Sequence, residues 1–337
     1  MPDRLRTVLI GFGRIAAGYA RDTRMGRWFP FATHAQVLRT HPAFALMGVV
    51  DTDQHARNDA QQNWGVANAV ATLDDLENPS MFEVAVIATH PERRFNILER
   101  LPNLKAIIVE KPLATDLLTA RDFLDKCVSR NILVQVNFPR RGDSEMRRLA
   151  VTMPDNIGEV QAAFALYGNG LNNNGSHIVD WARMFLGEVI WVRTLPDGPS
   201  IAGDHISRDT SIPFILGLMR GACLMAQPLT FANFRENSLD IWGERGRLSF
   251  WQEGLIASTF SRAEHRFLDA NFEIACDRPE ITLTGQGKAI YELYSNLNRA
   301  LLHGEALWSS GKQALRVMEI VTAIRQSFVE GGKRVNV

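Results

Sequence analysis

The segment TVLIGFGRIA, residues 7–16, decides the fold. An apolar strand runs into Gly11, which permits a tight turn, and Gly13 lets main-chain amides approach a pyrophosphate. Ala16 stands where the third glycine of such a turn needs only to be small. A phosphate would rest on the amino end of the following helix, where free N–H groups and the helix dipole favour an anion. Glycine-rich turns are common, so the weight comes from what surrounds this one.

Short runs rich in Val, Ile and Ala recur through residue 137: TVLIGFG, FALMGVVD, FEVAVIAT, KAIIVEK and ILVQVN. Between them lie segments such as PERRFNILERL (91–101) and TDLLTARDFLDKCVSR (115–130), apolar at three- and four-residue steps. Strands apolar on both faces that alternate with helices imply a parallel sheet covered on both sides. Ligands of such sheets bind beyond the carboxyl ends of the strands. The second strand ends in Asp51. Its carboxylate suits the two hydroxyls of a ribose and repels a 2′-phosphate, which favours NAD. His55 and Arg57 close by keep NADP as the alternative. Asp51 follows Gly13 by 38 residues, against about 20 in the usual arrangement. The excess is assigned to residues 17–33, with Arg21, Arg24, Arg27, Trp28 and Phe29. That stretch is read either as a lid that pairs arginine with a substrate phosphate or as an irregular surface excursion.

The run IIVEKPLATD (107–116) places Glu110, Lys111 and Pro112 at a strand's carboxyl end. Burial lowers a lysine's pKa and a neighbouring carboxylate raises it, so such a group is poised for proton transfer. Pro112 turns Lys111 away from helical geometry and makes a cis peptide accessible. Alone, the pair reads as an exposed strand cap. The segment LYGNGLNNNGSHIVDWARMFLG (166–187) changes the weighing. It puts His177 in the first turn of an amphipathic helix, with Asp180 three residues on and so on the same face. With no third ligand in view, the pair suits a proton donor and its orienting partner better than a metal.

The chain resembles the Gfo/Idh/MocA family of nicotinamide-dependent oxidoreductases. The likeness runs in order through GFGRIA, VVDTD, VAVIATHPE, VEKPLATD, VNFPRR, GSHIVDWARMFLG, LDIWGERGRLSF and ALRVMEIVTAIRQSFVEGGKRV. The resemblance implies an α/β fold: an N-terminal Rossmann doubly wound parallel sheet (1–137), then a C-terminal α+β domain (138–337) with a large open, mostly antiparallel sheet. It implies that Gly11, Phe12, Gly13, Arg14, Ile15 and Ala16 hold the pyrophosphate and Asp51 the adenosine ribose. Thr89, His90 and Glu110 would face the nicotinamide. Asn137, Arg140 and Arg141 would border cofactor and substrate. Lys111 would lie by the reacting carbon, and His177 would act as acid/base or orient the substrate. Two positions depart from the pattern. Asn173 stands where many family dehydrogenases have aspartate, and an amide cannot take a proton as a carboxylate does. Lys111 and His177 then share the proton, with Asn173 on a substrate hydroxyl. Arg94 stands where a histidine is common.

The second half is strand-rich, with VIWVRTL, PFILGLMRGACLMAQPL, SLDIWGERGRLSFWQ and LIASTFS, and GERGR as a hairpin turn. VTMPDNIGE (151–159) reads as a connector. A final helix over about 311–330 carries Val317, Val321, Ile324 and Phe328 on one face. Lys plus Arg balance Asp plus Glu at 37 each, so no bulk field draws nucleic acid or an anionic membrane. Cys127, Cys223 and Cys276 have no metal-ligand spacing and read as reduced core thiols of a cytoplasmic protein. The leading expectation is NAD(P)-dependent hydride transfer at a secondary alcohol or ketone of a sugar, sugar nucleotide or cyclitol, with no metal. A homodimer or homotetramer would cover the second sheet. The alternatives are a dinucleotide-binding regulator without chemistry and an NAD-dependent glycosidase.

Overall fold

The computed structural model describes residues 4–94, 96–195 and 209–337. Its helices are α1 (Thr23–Gly26), α2 (His34–Thr40), α3 (Gln54–Gln62), α4 (Ile97–Arg100), α5 (Leu117–Ser129), α6 (Ser144–Ile157), α7 (Ser176–Leu186), α8 (Ala289–His303) and α9 (Gly311–Val329). The chain forms two compact units, Met1–Asp143 with Gln286–Leu315, and Ser144–Gly285 with Arg316–Val337. This differs from a single cut after residue 137, because residues 286–315 return to the first unit. Ile290, Tyr294 and Leu297 of α8 pack in the same buried cluster as Leu9, Val49 and Val86.

The first unit is built on β1 (Leu5–Ile10), β2 (Phe44–Val50), β3 (Asn68–Val70), β4 (Val84–Ile87), β5 (Ala106–Val109) and β6 (Leu133–Val136). They form one sheet in the order β3-β2-β1-β4-β5-β6, with every pairing parallel. Every residue of β4 and β5 is buried, as a sheet covered on both faces requires. The order reverses between β1 and β4, the point at which ligands enter such folds. Local signals set the helices. Asp116 accepts from the Thr119 amide at 2.9 Å to start α5. Thr33 and Gln36 form a reciprocal capping box that starts α2.

Two expectations in this unit change. The glycine loop does not open a long helix. Residues 14–17 form one turn, a 3-10 turn follows at Gly18–Arg21, and α2 begins only at His34. The amides of His34 and Ala35 then bond to the carbonyls of Ile15 and Ala16, at 3.2 and 2.8 Å. Helix α2 is thus hydrogen-bonded onto the turn with residues 17–33 inserted between them, which accounts for the long spacing to Asp51. Residues 91–101, expected as one helix, yield a 3-10 turn at Pro91–Arg93 and the short α4, with Asn96 left-handed at φ 62° between them. Phe95 lies outside the described residues.

The second unit holds β7 (Val160–Tyr167), β8 (Val189–Thr194), β9 (Phe214–Leu218), β10 (Cys223–Pro228), β11 (Ser238–Gly243), β12 (Gly246–Trp251), β13 (Ile256–Glu264), β14 (Phe272–Ile274), β15 (Glu280–Leu283) and β16 (Val335–Asn336). Their order is β14-β13-β12-β11-β7-β10-β9-β8-β16, with β15 also on β13. The pairings are antiparallel except β7 with β10. The GERGR hairpin forms, but its glycines answer to space. A Cβ on Gly243 would lie 2.3 Å from the Ile157 carbonyl oxygen. Residues 151–157 are not a connector: α6 runs through Pro154 to Ile157. Met146, Leu149, Met153 and Ile157 are buried at helical spacing, and that stripe outweighs the proline. Of the three cysteines only Cys127 is buried, and burial pushes its thiol up to about 12. Cys276 is exposed and lies 3.5 Å from an Arg247 nitrogen, so it is no core thiol. Among the described residues no helix is long and apolar enough to cross a membrane, and no three metal-ligating side chains cluster.

Candidate functional site

The expected cofactor residues of the first unit share one row of the sheet. Val50, Ile10, Ile87, Val109 and Val136 pair in sequence across five strands. One residue further, the ladder continues: Gly11 donates to Val50 at 2.8 Å, Ala88 to Ile10 at 2.8 Å, Glu110 to Ile87 at 2.9 Å and Asn137 to Val109 at 2.9 Å. Gly11, Asp51, Thr89, Glu110 and Asn137 therefore stand along a single edge, at the carboxyl ends of their strands.

The turn after β1 needs its glycines for different reasons. Gly11 has φ 87°, and a Cβ there would sit 2.8 Å from Thr89 Cγ2 and 2.9 Å from the main chain of residues 88 and 89. A Cβ on Gly13 would meet no protein atom within 4 Å, so the chain is open there to an outside group. Asp51 is tied to this turn. Its Oδ2 accepts from the Phe12 amide at 2.6 Å and its Oδ1 from the Asp53 amide at 2.8 Å. Arg57 donates to the Asp51 carbonyl at 2.8 Å and to the side chain of Gln54. Arg14 and His90 are exposed, and Ile15 is half-buried.

Glu110 anchors a network that the sequence reading missed. Its Oε1 is 3.0 Å from His34 Nε2 and accepts from Asn137 Nδ2 at 2.6 Å. His34 Nδ1 is 2.9 Å from the Tyr294 hydroxyl. His34 and Tyr294 are wholly buried. Burial alone would raise the Glu110 carboxyl. Hydrogen bonds and charge from His34, the Asn137 amide and the Lys111 charge outweigh it and hold the group below its ordinary value. Burial and the Glu110 charge push the Tyr294 phenol well up. Lys111 follows Glu110 directly, and the Lys111–Pro112 peptide is cis.

Two buried polar atoms on this edge, Thr89 Oγ1 and Asn137 Oδ1, have no hydrogen-bond partner among the described residues. Buried groups of this kind are otherwise satisfied, so they fit a ligand with its own donors. Together with the open face of Gly13, they suit a dinucleotide laid along the edge. Arg140 and Arg141 are buried in a turn at Pro139–Gly142. That turn is docked on α8, where a Cβ on Gly142 would lie 2.2 Å from the Ala289 carbonyl oxygen. The 17–33 excursion is anchored too. Arg21 pairs with Asp59, Phe31 stacks on Tyr291 at 4.7 Å, and Gly287 meets the Trp28 carbonyl.

Asn173 and His177 lie on the second unit. Leu171–Gly175 forms a π-type turn that leads into α7, and His177 is the second residue of that helix. Asp180 is buried one turn on. Residues 209–212 strap the turn. Leu171 donates to the Thr210 carbonyl at 3.2 Å, and the Gly170 amide to Ser211 Oγ at 2.8 Å. The Asn173 amide donates to Asp209 Oδ2 at 2.9 Å, while Arg325 donates to Asp209 Oδ1 at 2.8 Å. Gly170, at φ 93°, leaves Asp209 its place, since a Cβ would come within 2.2 Å of that carboxylate.

A parallel sheet in this order, with its switch point at a glycine turn and an acidic residue closing the second strand, defines a dinucleotide-binding domain of the doubly wound class. Residues 5–138 match the Gfo/Idh/MocA model, described as an oxidoreductase family with an NAD-binding Rossmann fold. The match is confined to this first segment, and the NAD-binding Rossmann fold that the model describes lies within it. Among curated proteins, inositol 2-dehydrogenase/D-chiro-inositol 3-dehydrogenase of Lacticaseibacillus casei is 29% identical over 133 residues, 38% of this chain and 38% of that protein. Two solved structures share the fold over 99% of this chain. The WlbA dehydrogenase of Bordetella pertussis, in complex with NADH and UDP-GlcNAcA, is 17% identical with a TM-score of 0.72 and is covered over 99%. A super-repressor mutant of Gal80p from Saccharomyces cerevisiae is 14% identical with a TM-score of 0.73 and is covered over 98%.

Proposed function

We propose that the protein is an NAD-dependent dehydrogenase or reductase that moves a hydride between nicotinamide and a secondary alcohol or ketone of a sugar, sugar nucleotide or cyclitol. The observation that carries this reading is the single edge on which the glycine turn, Asp51, Thr89, Glu110 and Asn137 stand, with Lys111 directly after Glu110. Gly11, Phe12, Gly13, Arg14 and Ile15 would hold the pyrophosphate and Asp51 the ribose. Thr89 and Asn137 would offer their unpartnered oxygens to the nicotinamide end, with His90, Glu110 and Arg140 beside them. Bound NAD supplies the hydride acceptor, and the protein must handle the hydroxyl proton. Lys111 and His177 are assigned that proton, and Asn173 and Arg141 the substrate's polar groups.

The substrate class draws on the inositol dehydrogenase relative and on the sugar-nucleotide complex of the WlbA neighbour. The second sheet leaves Phe164 and Met225 47% and 44% exposed, an apolar face suited to a second copy of the chain. Sedimentation velocity tests that assembly. The activity test is NADH formation with a panel of inositols, sugars and UDP-sugars, followed by Lys111→Ala under single turnover at saturating NAD. A loss above about a hundredfold supports the proton role, which is worth roughly 10²–10⁴. A loss under about tenfold removes it. Absence of NADH with every compound, while NADH still binds, points instead to a regulator, as in the Gal80p neighbour.

A further inference from the structure

Arg94 is a half-buried cation to which the proposed chemistry gives no task. Among the described residues its hydrogen bonds all go to main-chain carbonyls. Nε and Nη2 donate to Thr89 at 3.1 and 2.7 Å, and Nη1 donates to Pro112 and Leu113 at 2.5 and 3.2 Å. Burial draws the guanidinium down to about 10, against the opposing pull of the Glu110 charge. Placing a charge here is therefore costly, and a side chain that only filled space would be apolar.

The guanidinium is planar, with its donors in a rigid fork. One side of the fork grips the end of β4, at the residue whose main chain abuts Gly11. The other grips the carbonyls of the two residues that follow Lys111. The width of the plane then sets the separation between the glycine turn and the Lys111-Pro112-Leu113 segment. A lysine ammonium is a single donor centre on a flexible stem and cannot hold two chain segments at a fixed spacing.

We propose that Arg94 is a positioning residue, a clamp that fixes the Lys111 turn against the end of β4 and so sets where the Lys111 side chain stands over the cofactor edge. Its consequence for turnover rests on the function proposed above, but the clamp itself is tested without it.

Arg94→Ala and Arg94→Lys are compared with the wild type by hydrogen-exchange mass spectrometry. Arg94→Gln replaces the alanine variant should that one fail to fold. Exchange at the amides of residues 107–116 is expected to rise at least about tenfold in Arg94→Ala, with β1 and β2 unchanged. The NADH dissociation constant, read by fluorescence, should stay within about threefold of the wild type. With the best substrate from the panel, kcat should fall about 30- to 100-fold, the scale of an ångström-sized misplacement. Methylguanidine should restore part of it, and Arg94→Lys should remain low. Wild-type exchange at 107–116 overturns the clamp, as does a fall in NADH affinity that accounts for the whole loss. Should Lys111→Ala retain its activity, the proton assignment falls, while the exchange result still decides the clamp.

Discussion

His34 Nε2 lies 3.0 Å from Oε1 of Glu110, a histidine at the start of α2 meeting a glutamate at the end of β5. The carboxylate is largely withdrawn from water, and the donors around it, His34 and Asn137, hold its pKa below the ordinary value. His34→Ala removes one of those donors and leaves the anion under-satisfied. We expect a loss of about 1–3 kcal/mol in urea unfolding.

The same relationship fixes a pH dependence. The Glu110 pKa is depressed in the folded state below its ordinary 4.5, because the donors and the Lys111 charge outweigh burial. Its contribution to stability is fully present above about pH 4.5 and is lost as pH falls through the folded value. With His34→Ala the desolvation that favours the protonated acid is opposed by fewer donors, so the acid-side loss should begin at higher pH. Unfolding midpoints measured from pH 7 down to pH 3 check this. Parallel curves for wild type and variant would show that His34 does not set the state of Glu110.

Gly11 and Gly13 separate folding from binding. Gly11→Ala forces a side chain into φ 87° and into the main chain of residues 88 and 89. Stability should fall by at least about 2 kcal/mol, with cofactor binding lost alongside. Gly13→Ala meets open space, so the unfolding curve should move by less than about 0.5 kcal/mol. A methyl between chain and pyrophosphate should nonetheless weaken NADH at least about tenfold. An unchanged NADH affinity in Gly13→Ala removes the phosphate from this turn.

What could be read in the sequence was what short stretches encode. Strand, turn and acid lie within their own segments at residues 7–16 and 44–51, and the parallel sheet follows from them. The helix after the turn was hidden because residues 17–33 interrupt it, which also disguised His34 as the end of an insertion. Tyr294 stands 260 residues from His34, and no local pattern announces a segment that crosses back to an earlier core. The asparagine-rich turn was visible as a helix start, but its strap at 209–212 was not, since Asp209 and Arg325 carry no periodic signal. Met153 and Ile157 were overlooked because Pro154 reads locally as a stop, and only their shared burial shows the helix to be continuous.

Asp209 should matter to turnover more than to the cofactor. It accepts from the Asn173 amide and from Arg325 on the second unit, whereas the cofactor edge is formed by the first. Asp209→Ala should leave the NADH dissociation constant within about twofold. It should lower kcat/KM about tenfold or more by loosening the turn that presents Asn173 and His177. Arg325→Ala should follow it in part, since it leaves the carboxylate in place. If Asp209→Ala is silent in kcat/KM, that turn does not bear on the substrate.

We expect the choice between NAD and NADP to turn on Asp51. Its carboxylate already accepts from the amides of Phe12 and Asp53, so it is held in place at the end of β2. A ribose offers hydroxyls that such a group can accept. A 2′-phosphate offers a like charge, and two unit charges about 4 Å apart repel by about 4 kcal/mol at an effective dielectric of 20. Arg57 does little to offset this, because it donates to the Asp51 carbonyl and the Gln54 side chain. Asp51→Asn keeps the size and an acceptor but removes the charge. The ratio of NADPH to NADH dissociation constants should therefore fall by at least about tenfold, with most of the change in NADPH. Adding Arg57→Ala should leave that gain nearly unchanged, since the guanidinium stays bonded to the main-chain carbonyl of residue 51 and to Gln54. A ratio that moves by less than about threefold in Asp51→Asn would place the discrimination elsewhere on the edge.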